Sequence, residues 1–247
     1  MNSLITLTER VLRGTLRDFD LLIAVLAPVS TYVGFTFILQ NVIDTGSMSY
    51  SQYVLPVIVV QSILFGTMTA AERASKDENL GFARRLRTLP IHTLVPLGAR
   101  MVYCMIRSVV VIIASVATAY LFGFRFTGGF WFVAAFVGIT LALALALSLG
   151  ADALGASAKR MDAASQLLLI PMLTLALLST GMAPAESFPG WVQPFVRAQP
   201  VSVITESMRG FADGSVSGGN LAASIAWCAG LLVLFGGLAF RLQRRTE

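Results

Sequence analysis

Charged side chains are scarce in this sequence, since aspartate, glutamate, lysine and arginine together make up 13% of its 247 residues. An ordinary soluble domain has roughly 25%. Hydrophobic residues make up 56%, and the mean hydropathy is +0.77. So few polar side chains cannot cover a water-soluble fold, which excludes soluble enzymes, nucleic-acid-binding domains and disordered tails despite a net charge of +5. The remaining class is a polytopic membrane protein.

Metal-ligating residue types are also scarce, with two cysteines and one histidine in the whole chain. Cys104 and Cys228 lie inside apolar runs, where a cysteine packs as a small hydrophobic side chain. His92 stands between two prolines in a polar segment, as a solvated loop residue and not a general base. We therefore expect no catalytic residue, no metal site and no cofactor bound by this chain.

One stretch has the glycine spacing of a phosphate-binding loop. Gly150 and Gly155 are spaced as in G-x-x-x-x-G-K-[ST], and Ser157 holds the hydroxyl position. Ala156, however, stands where the pattern requires the lysine that holds the phosphates. The stretch also ends an apolar run instead of joining a strand to a helix. The sequence therefore predicts that the chain is not an enzyme and cannot use ATP by itself.

Long apolar runs dominate the rest of the chain. A helical span needs about 20 mostly apolar residues, and the runs use good helix formers without the polar alternation of barrel strands. The sequence predicts an all-α membrane protein with six transmembrane helices. The predicted spans cover residues 21–40, 54–71, 101–122, 130–151, 163–181 and 221–240.

The distribution of lysine and arginine predicts the orientation. Most of these residues precede the first span, follow the sixth, or lie between spans two and three or four and five. The opposite side carries only Arg125, Arg197 and Arg209. By the positive-inside rule both termini are cytoplasmic, as an even number of spans requires. We expect a multi-pass protein of the plasma (inner) membrane.

Residues 1–20 have the pattern of a basic amphipathic helix. Leu4, Leu7 and Val11 fall on one side of a helical wheel, whereas Arg13 and Asp20 fall on the other. The helix is expected to lie along the cytoplasmic leaflet, either as a docking element for a partner or as a simple interfacial anchor.

The longest cytoplasmic loop contains apolar residues set among charges. Within residues 72–90, Leu80, Phe82 and Leu86 stand beside several arginines, and Pro90 ends the element. Such a pattern favours a short amphipathic helix that docks onto a soluble partner. The alternative is a helix that lies on anionic lipid.

The segment over residues 182–219, between spans five and six, is rich in proline. Apolar residues between the prolines predict two short helices that dip into the outer leaflet and return, with Trp191 at the interface. This segment is a candidate outer gate, and the alternative is an extracellular cap with packing duties only. The gate residues are Pro184, Pro189, Trp191, Pro194, Pro200 and Arg209.

Inside the spans, carboxylates are nearly absent, and Asp152 falls near the inner end of span four. Two other functions are alternatives for this sequence. A stand-alone secondary carrier usually needs carboxylates at mid-membrane depth, and the other alternative is a membrane scaffold or immunity protein. Weakly polar and aromatic side chains suit passage of a large amphipathic molecule, although helix–helix hydrogen bonding explains them equally well. The candidate path residues are Tyr32, Phe35, Gln61, Thr69 and Thr174.

Two groups of residues carry a resemblance to a known family. The first includes Ser179 to Pro184, Phe188 to Pro194, Gln199 to Ser202 and Met208 to Gly210. The second joins Glu72 and Arg73 to a Leu-Arg-Thr-Leu-Pro run at residues 86–90. With this spacing, the chain resembles the membrane subunits of ABC-2-type exporters, specifically the daunorubicin-resistance-type permeases of actinobacteria.

The resemblance implies a six-span domain over residues 21–247 that works with ABC ATPase subunits and a second permease, either another copy or a related chain. ATP and Mg²⁺ are then bound in the partner ATPase. Substrates of the family are hydrophobic drugs, antibiotics, complex lipids and, alternatively, glycans, and the apolar spans favour drug or lipid. The resemblance assigns coupling to the ATPase to Glu72, Arg73, Leu80, Phe82 and Leu86. The substrate would leave between spans one, two and five through the outer gate.

Overall fold

The computed structural model describes residues 19–39, 49–81, 94–158, 163–181 and 184–244, and these ranges hold helices and no strands. The predicted all-α class is confirmed. The helices are α1 (Asp20–Leu39), α2 (Tyr50–Asn79), α3 (Leu94–Leu121), α4 (Phe130–Ser157), α5 (Ala163–Leu177), α6 (Gln193–Ala198), α7 (Pro200–Asp213) and α8 (Gly218–Arg244), with a 3₁₀ turn at Ala185–Ser187.

Five of these helices, α1 to α4 and α8, are long and apolar enough to cross a membrane. In the described part of the chain α5 begins at Ala163 and ends at Leu177, four residues before the predicted end of the fifth span at residue 181. The chain leaves the helix where leucines give way to Ser179, Thr180 and Gly181.

Helix α2 lies at the centre of the bundle and contacts α1, α3, α4, α5 and α7. In its most apolar stretch 67% of the residues are buried, against 11% in α8, which is therefore peripheral. A capping box between Ser49 and Gln52 starts α2 four residues before the predicted span. A Cβ on Gly155 of α4 would lie 2.2 Å from the Ala71 carbonyl oxygen, so the close approach of α2 and α4 requires glycine there.

The segment between α5 and α8 contains two short helices, as predicted. Proline occupies the first turn of both α6 and α7, where its missing N–H costs no hydrogen bond. Helix α7 is buried along most of its length against α2, α4 and α8. It ends at Gly214, whose φ of 72° is the left-handed conformation that glycine adopts readily.

Two predicted elements lie outside the described residues. Of the predicted amphipathic helix over residues 1–20, only the last two positions are described. Residues 82–90 of the predicted coupling element are also outside the described residues. The sequence pattern predicts Asp20 on the solvated face of the amphipathic helix, and this prediction is wrong. Asp20 is instead the first residue of α1 and is 8% exposed. The physical reason is a set of buried partners from α2 and α3, described below.

Candidate functional site

The Arg209 side chain of α7 joins the start of α2 to the end of α5. Its Nε donates to the Tyr53 carbonyl oxygen, and its two Nη atoms donate to the carbonyl oxygens of Thr180 and Gly181, each at 3.2 Å. The guanidinium carbon lies 3.7 Å from the centre of the Tyr53 ring. Arg209 is only 9% exposed. We call this arrangement, Arg209 with Tyr53, Thr180 and Gly181, the Arg209 clamp.

The clamp satisfies a need that the end of α5 creates. The carbonyl groups of Thr180 and Gly181 are buried and follow the last helical residue, Leu177, so they need hydrogen-bond donors from outside the helix. Other α7 residues help, since the Gln199 amide donates to the Leu178 carbonyl oxygen and the Ser202 hydroxyl accepts from the Thr180 N–H at 3.0 Å. Polar side chains of α7 therefore hold the end of α5 where its hydrogen-bond ladder stops.

Some of the predicted gate residues lie in or beside this clamp, and others lie at the starts of short helices or are exposed. Arg209 is buried in the clamp, and Pro200 starts α7 beside Gln199. Pro184 precedes the 3₁₀ turn, and Pro194 lies in the first turn of α6. Pro189 and Trp191 are exposed, Trp191 by 86%.

A second set of charges lies at the opposite end of α2. The Asp20 carboxylate accepts a hydrogen bond from the Tyr103 hydroxyl and lies 3.4 Å from an Arg73 Nη atom and 3.5 Å from Arg107 Nε. The Arg73 guanidinium also covers the Tyr103 ring at 4.4 Å. We call these four residues, from α1, α2 and α3, the Asp20 cluster.

Next to this cluster, Arg100 of α3 joins α4 to the end of α2. It forms a two-pronged ion pair with Asp152 at 2.5 and 3.0 Å, and its other Nη atom lies 3.6 Å from Asp77. Asp152 is 2% exposed. Such bidentate pairs fix geometry as well as charge. In the sequence Asp152 is recognisable as an unusual carboxylate within a predicted span, but its partner Arg100 lies 52 residues earlier and is not indicated by any local pattern.

The predicted coupling residues lie near these charges or outside the described chain. Arg73 belongs to the Asp20 cluster, and Glu72 beside it is half-buried. Leu80, at the end of α2, is 68% exposed. Phe82 and Leu86 lie outside the described residues.

The predicted path residues are not on one surface of a single chain. Tyr32 is fully buried, and its hydroxyl lies 3.4 Å from the Ser51 carbonyl oxygen. The Phe35 carbonyl accepts from Tyr50, whereas the hydroxyls of Thr69 and Thr174 donate to carbonyl groups of their own helices. Thr174 faces outward from α5, and Gln61 has a buried Oε1 with no partner in the described part of the chain.

Five helices of the described part of the chain are long and apolar enough to cross a membrane, which indicates a multi-pass membrane protein. Residues 2–211 match the ABC-2 type transporter family, and the chain belongs to that family.

Three relatives are similar over nearly the whole chain. The probable doxorubicin resistance ABC transporter permease protein DrrC of Mycobacterium tuberculosis (strain CDC 1551 / Oshkosh) is 28% identical over 92% of this chain and 83% of its own. The doxorubicin resistance ABC transporter permease protein DrrB of the same strain is 31% identical over 90% and 78%. The daunorubicin resistance ABC transporter permease protein DrrB1 of Streptomyces coeruleorubidus is 27% identical over 90% and 79%. The resemblance drawn from the motifs is thereby confirmed.

Proposed function

We propose that this chain is the permease subunit of an ATP-driven exporter that moves hydrophobic drugs, antibiotics or complex lipids out across the plasma membrane. Family membership over residues 2–211 carries this proposal, and the drug-resistance permeases named above support the substrate class. The apolar helices favour a drug or lipid over a glycan. The scarcity of carboxylates in the spans disfavours a stand-alone secondary carrier.

The proposed topology has six spans with both termini cytoplasmic, with α5 in the fifth span and α7 re-entrant. Val201 and Thr205 of α7 line the same narrow cavity as Val57, Gln61 and Leu64 of α2. These α2 residues lie about 10–20 Å along the helix from its start, which supports insertion of α7 to near mid-membrane depth.

The proposed partners are ABC ATPase subunits, which bind ATP and Mg²⁺, and a second permease, identical or related. The exposed Leu80 at the end of α2 supports docking of the ATPase on the segment over residues 72–90. Lipid-exposed apolar faces of α1 and α5 are available for the second permease. The Asp20 cluster would carry movement of α2 to α1, and opening of the Arg209 clamp would separate α5 from α2.

Transport by a purified complex tests this proposal. The chain and its ATPase, reconstituted in inside-out vesicles, should accumulate a fluorescent hydrophobic drug when ATP is supplied, because the missing phosphate-binding loop comes from the partner. Leu80→Asp should reduce ATPase recovery in a pull-down, whereas Leu121→Asp, at an exposed leucine at the other end of the bundle, should not. ATP-independent accumulation by the chain alone would contradict the exporter and indicate a carrier.

Thiol labelling in intact cells tests the topology. Ser215 and Ser157 are both exposed and lie at opposite ends of the bundle, whereas Ser75 is fully buried and unsuitable. In a background with Cys104→Ala and Cys228→Ala, we expect Ser215→Cys to react with an impermeant reagent and Ser157→Cys to react only after permeabilisation. The reverse result would invert the proposed orientation.

A further inference from the structure

The narrow cavity between α2, α5 and α7 has a volume of about 10 Å³. Its polar lining consists of Gln61 of α2, Ser179 just after α5 and Thr205 of α7, and its other lining side chains are apolar. A single buried water needs roughly 10–15 Å³, whereas small-molecule sites measure roughly 300–1,000 Å³. The cavity therefore has room for one water molecule and excludes a drug-sized ligand.

Two buried oxygen atoms of this lining, Gln61 Oε1 and Thr205 Oγ1, have no hydrogen-bond partner in the described part of the chain. The whole Thr205 residue is fully buried. Buried polar atoms are nearly always paired with protein or with ordered water, because burial without a hydrogen bond is unfavourable. These two oxygens therefore need a partner that the neighbouring side chains do not supply.

The Thr205 hydroxyl differs from other buried hydroxyls of the bundle. Thr140 of α4 and Thr118 of α3 are also buried, and each donates to the carbonyl oxygen four residues earlier in its own helix, at 2.6 and 2.8 Å. Ser179 donates to the Ala176 carbonyl oxygen at 2.8 Å, which leaves its hydroxyl oxygen able to accept. The cavity thus offers one hydroxyl that can donate and two oxygens that can accept.

We propose that this cavity binds one ordered water molecule, which accepts from the Thr205 hydroxyl and donates to Gln61 Oε1 and Ser179 Oγ. Three hydrogen bonds are the usual number for a buried water. A metal cation is a poorer occupant, because no carboxylate lines the cavity. Ser179 directly precedes Thr180 of the Arg209 clamp, so the water is a second polar tie between α7 and the end of α5. The inference goes beyond the proposed function and does not depend on what the chain transports.

The thermal unfolding midpoint of the purified protein tests this water, because a bridged and an unpaired hydroxyl predict different signs. Thr205→Val keeps the shape of the side chain and removes the hydroxyl. Loss of a bridging bond should lower the midpoint by about 3–8 °C. Removal of an unpaired hydroxyl would leave the midpoint unchanged or raise it. Thr118→Val, the matched control whose hydroxyl bonds within its own helix, should shift the midpoint by less than about 2 °C.

A double variant tests whether the two oxygens share one partner. Gln61→Met, which has nearly the same length and no amide, should also lower the midpoint. In Gln61→Met/Thr205→Val the second substitution should add much less than its effect alone, because the shared water has already been lost. Full additivity of the two shifts would contradict the proposal.

Hydroxyl-radical labelling by water radiolysis distinguishes a bound water from a direct bond between the two side chains, since radicals formed at a bound water oxidise the side chains beside it. Leu64 of α2 lines the cavity and is 1% exposed, and Leu55 of the same helix is equally buried but is not part of the lining. We expect Leu64 to be oxidised several times faster than Leu55 in wild type, and the two rates to become similar in Thr205→Val. Equal rates in wild type, or a midpoint that Thr205→Val leaves unchanged or raises, would overturn the proposal.

Discussion

Arg209→Ala should lower the thermal unfolding midpoint of the purified complex by about 6–12 °C and reduce ATP-driven export at least tenfold. The substitution removes one donor from each of three carbonyl oxygens, those of Tyr53, Thr180 and Gly181, and the Thr180 oxygen keeps a second donor in the Tyr53 hydroxyl. A hydrogen bond to a charged group contributes about 1.5–3 kcal/mol. Even partial compensation by water leaves a loss of about 3 kcal/mol, and the tie between α5 and α2 is weakened to the Tyr53 hydroxyl bond to the Thr180 carbonyl oxygen and apolar packing.

Two control variants separate the clamp from a general effect of charge. Arg209→Lys keeps the charge, but an ammonium cannot present the planar fork that reaches three carbonyls, so an intermediate midpoint is expected. Arg197→Ala removes an exposed arginine of α6, 58% exposed and paired with Glu186, and should shift the midpoint by less than about 2 °C. Equal midpoints for Arg209→Ala and Arg197→Ala would show that the clamp does not hold these helices together.

The sequence predicted the helices well because their signals are local. Apolar runs predict the long helices, and Pro194 and Pro200 mark the starts of α6 and α7. The predicted end of the fifth span lies four residues too late, because Leu178 continues the run of leucines although the helix ends at Leu177. The residues at which α5 ends are held in place by α7, which lies about 20 residues further along the chain.

The site was less predictable because its contacts lie between distant residues. The partners of Arg209 are backbone carbonyls, which leave no side-chain pattern for sequence analysis to detect. Asp20 fitted the polar face of an amphipathic helix, and only the fold shows its pairing with Arg73 and Arg107, over 50 residues away. A usable signal existed, since a carboxylate and arginines at the ends of apolar runs on different helices often pair.

Substitution in the Asp20 cluster should also strongly lower both the unfolding midpoint and export. Asp20→Asn leaves the guanidinium groups of Arg73 and Arg107 without the carboxylate that lies 3.4 and 3.5 Å from them. Breaking a buried ion pair from one side costs about 3–5 kcal/mol. We expect a midpoint about 6–20 °C lower, and fewer substrate molecules exported per ATP hydrolysed, because α1 loses its ionic tie to α2 and α3 at this end of the bundle.

Substitution of Gly66 in α2 can disturb the Asp20 cluster without changing any charge. A Cβ on Gly66 would lie 2.1 Å from Arg107 Nη1, so Gly66→Ala must displace the guanidinium from its place near Asp20. Gly138→Ala in α4 is the matched control, since a Cβ there has no neighbouring atom within 4 Å. Gly66→Ala should assemble with the ATPase and hydrolyse ATP, yet export at least tenfold less substrate per ATP than Gly138→Ala. Equal export per ATP in these two variants would show that the Asp20 cluster only packs the helices together. Movement of α2 would then have to be transmitted to α1 through other contacts.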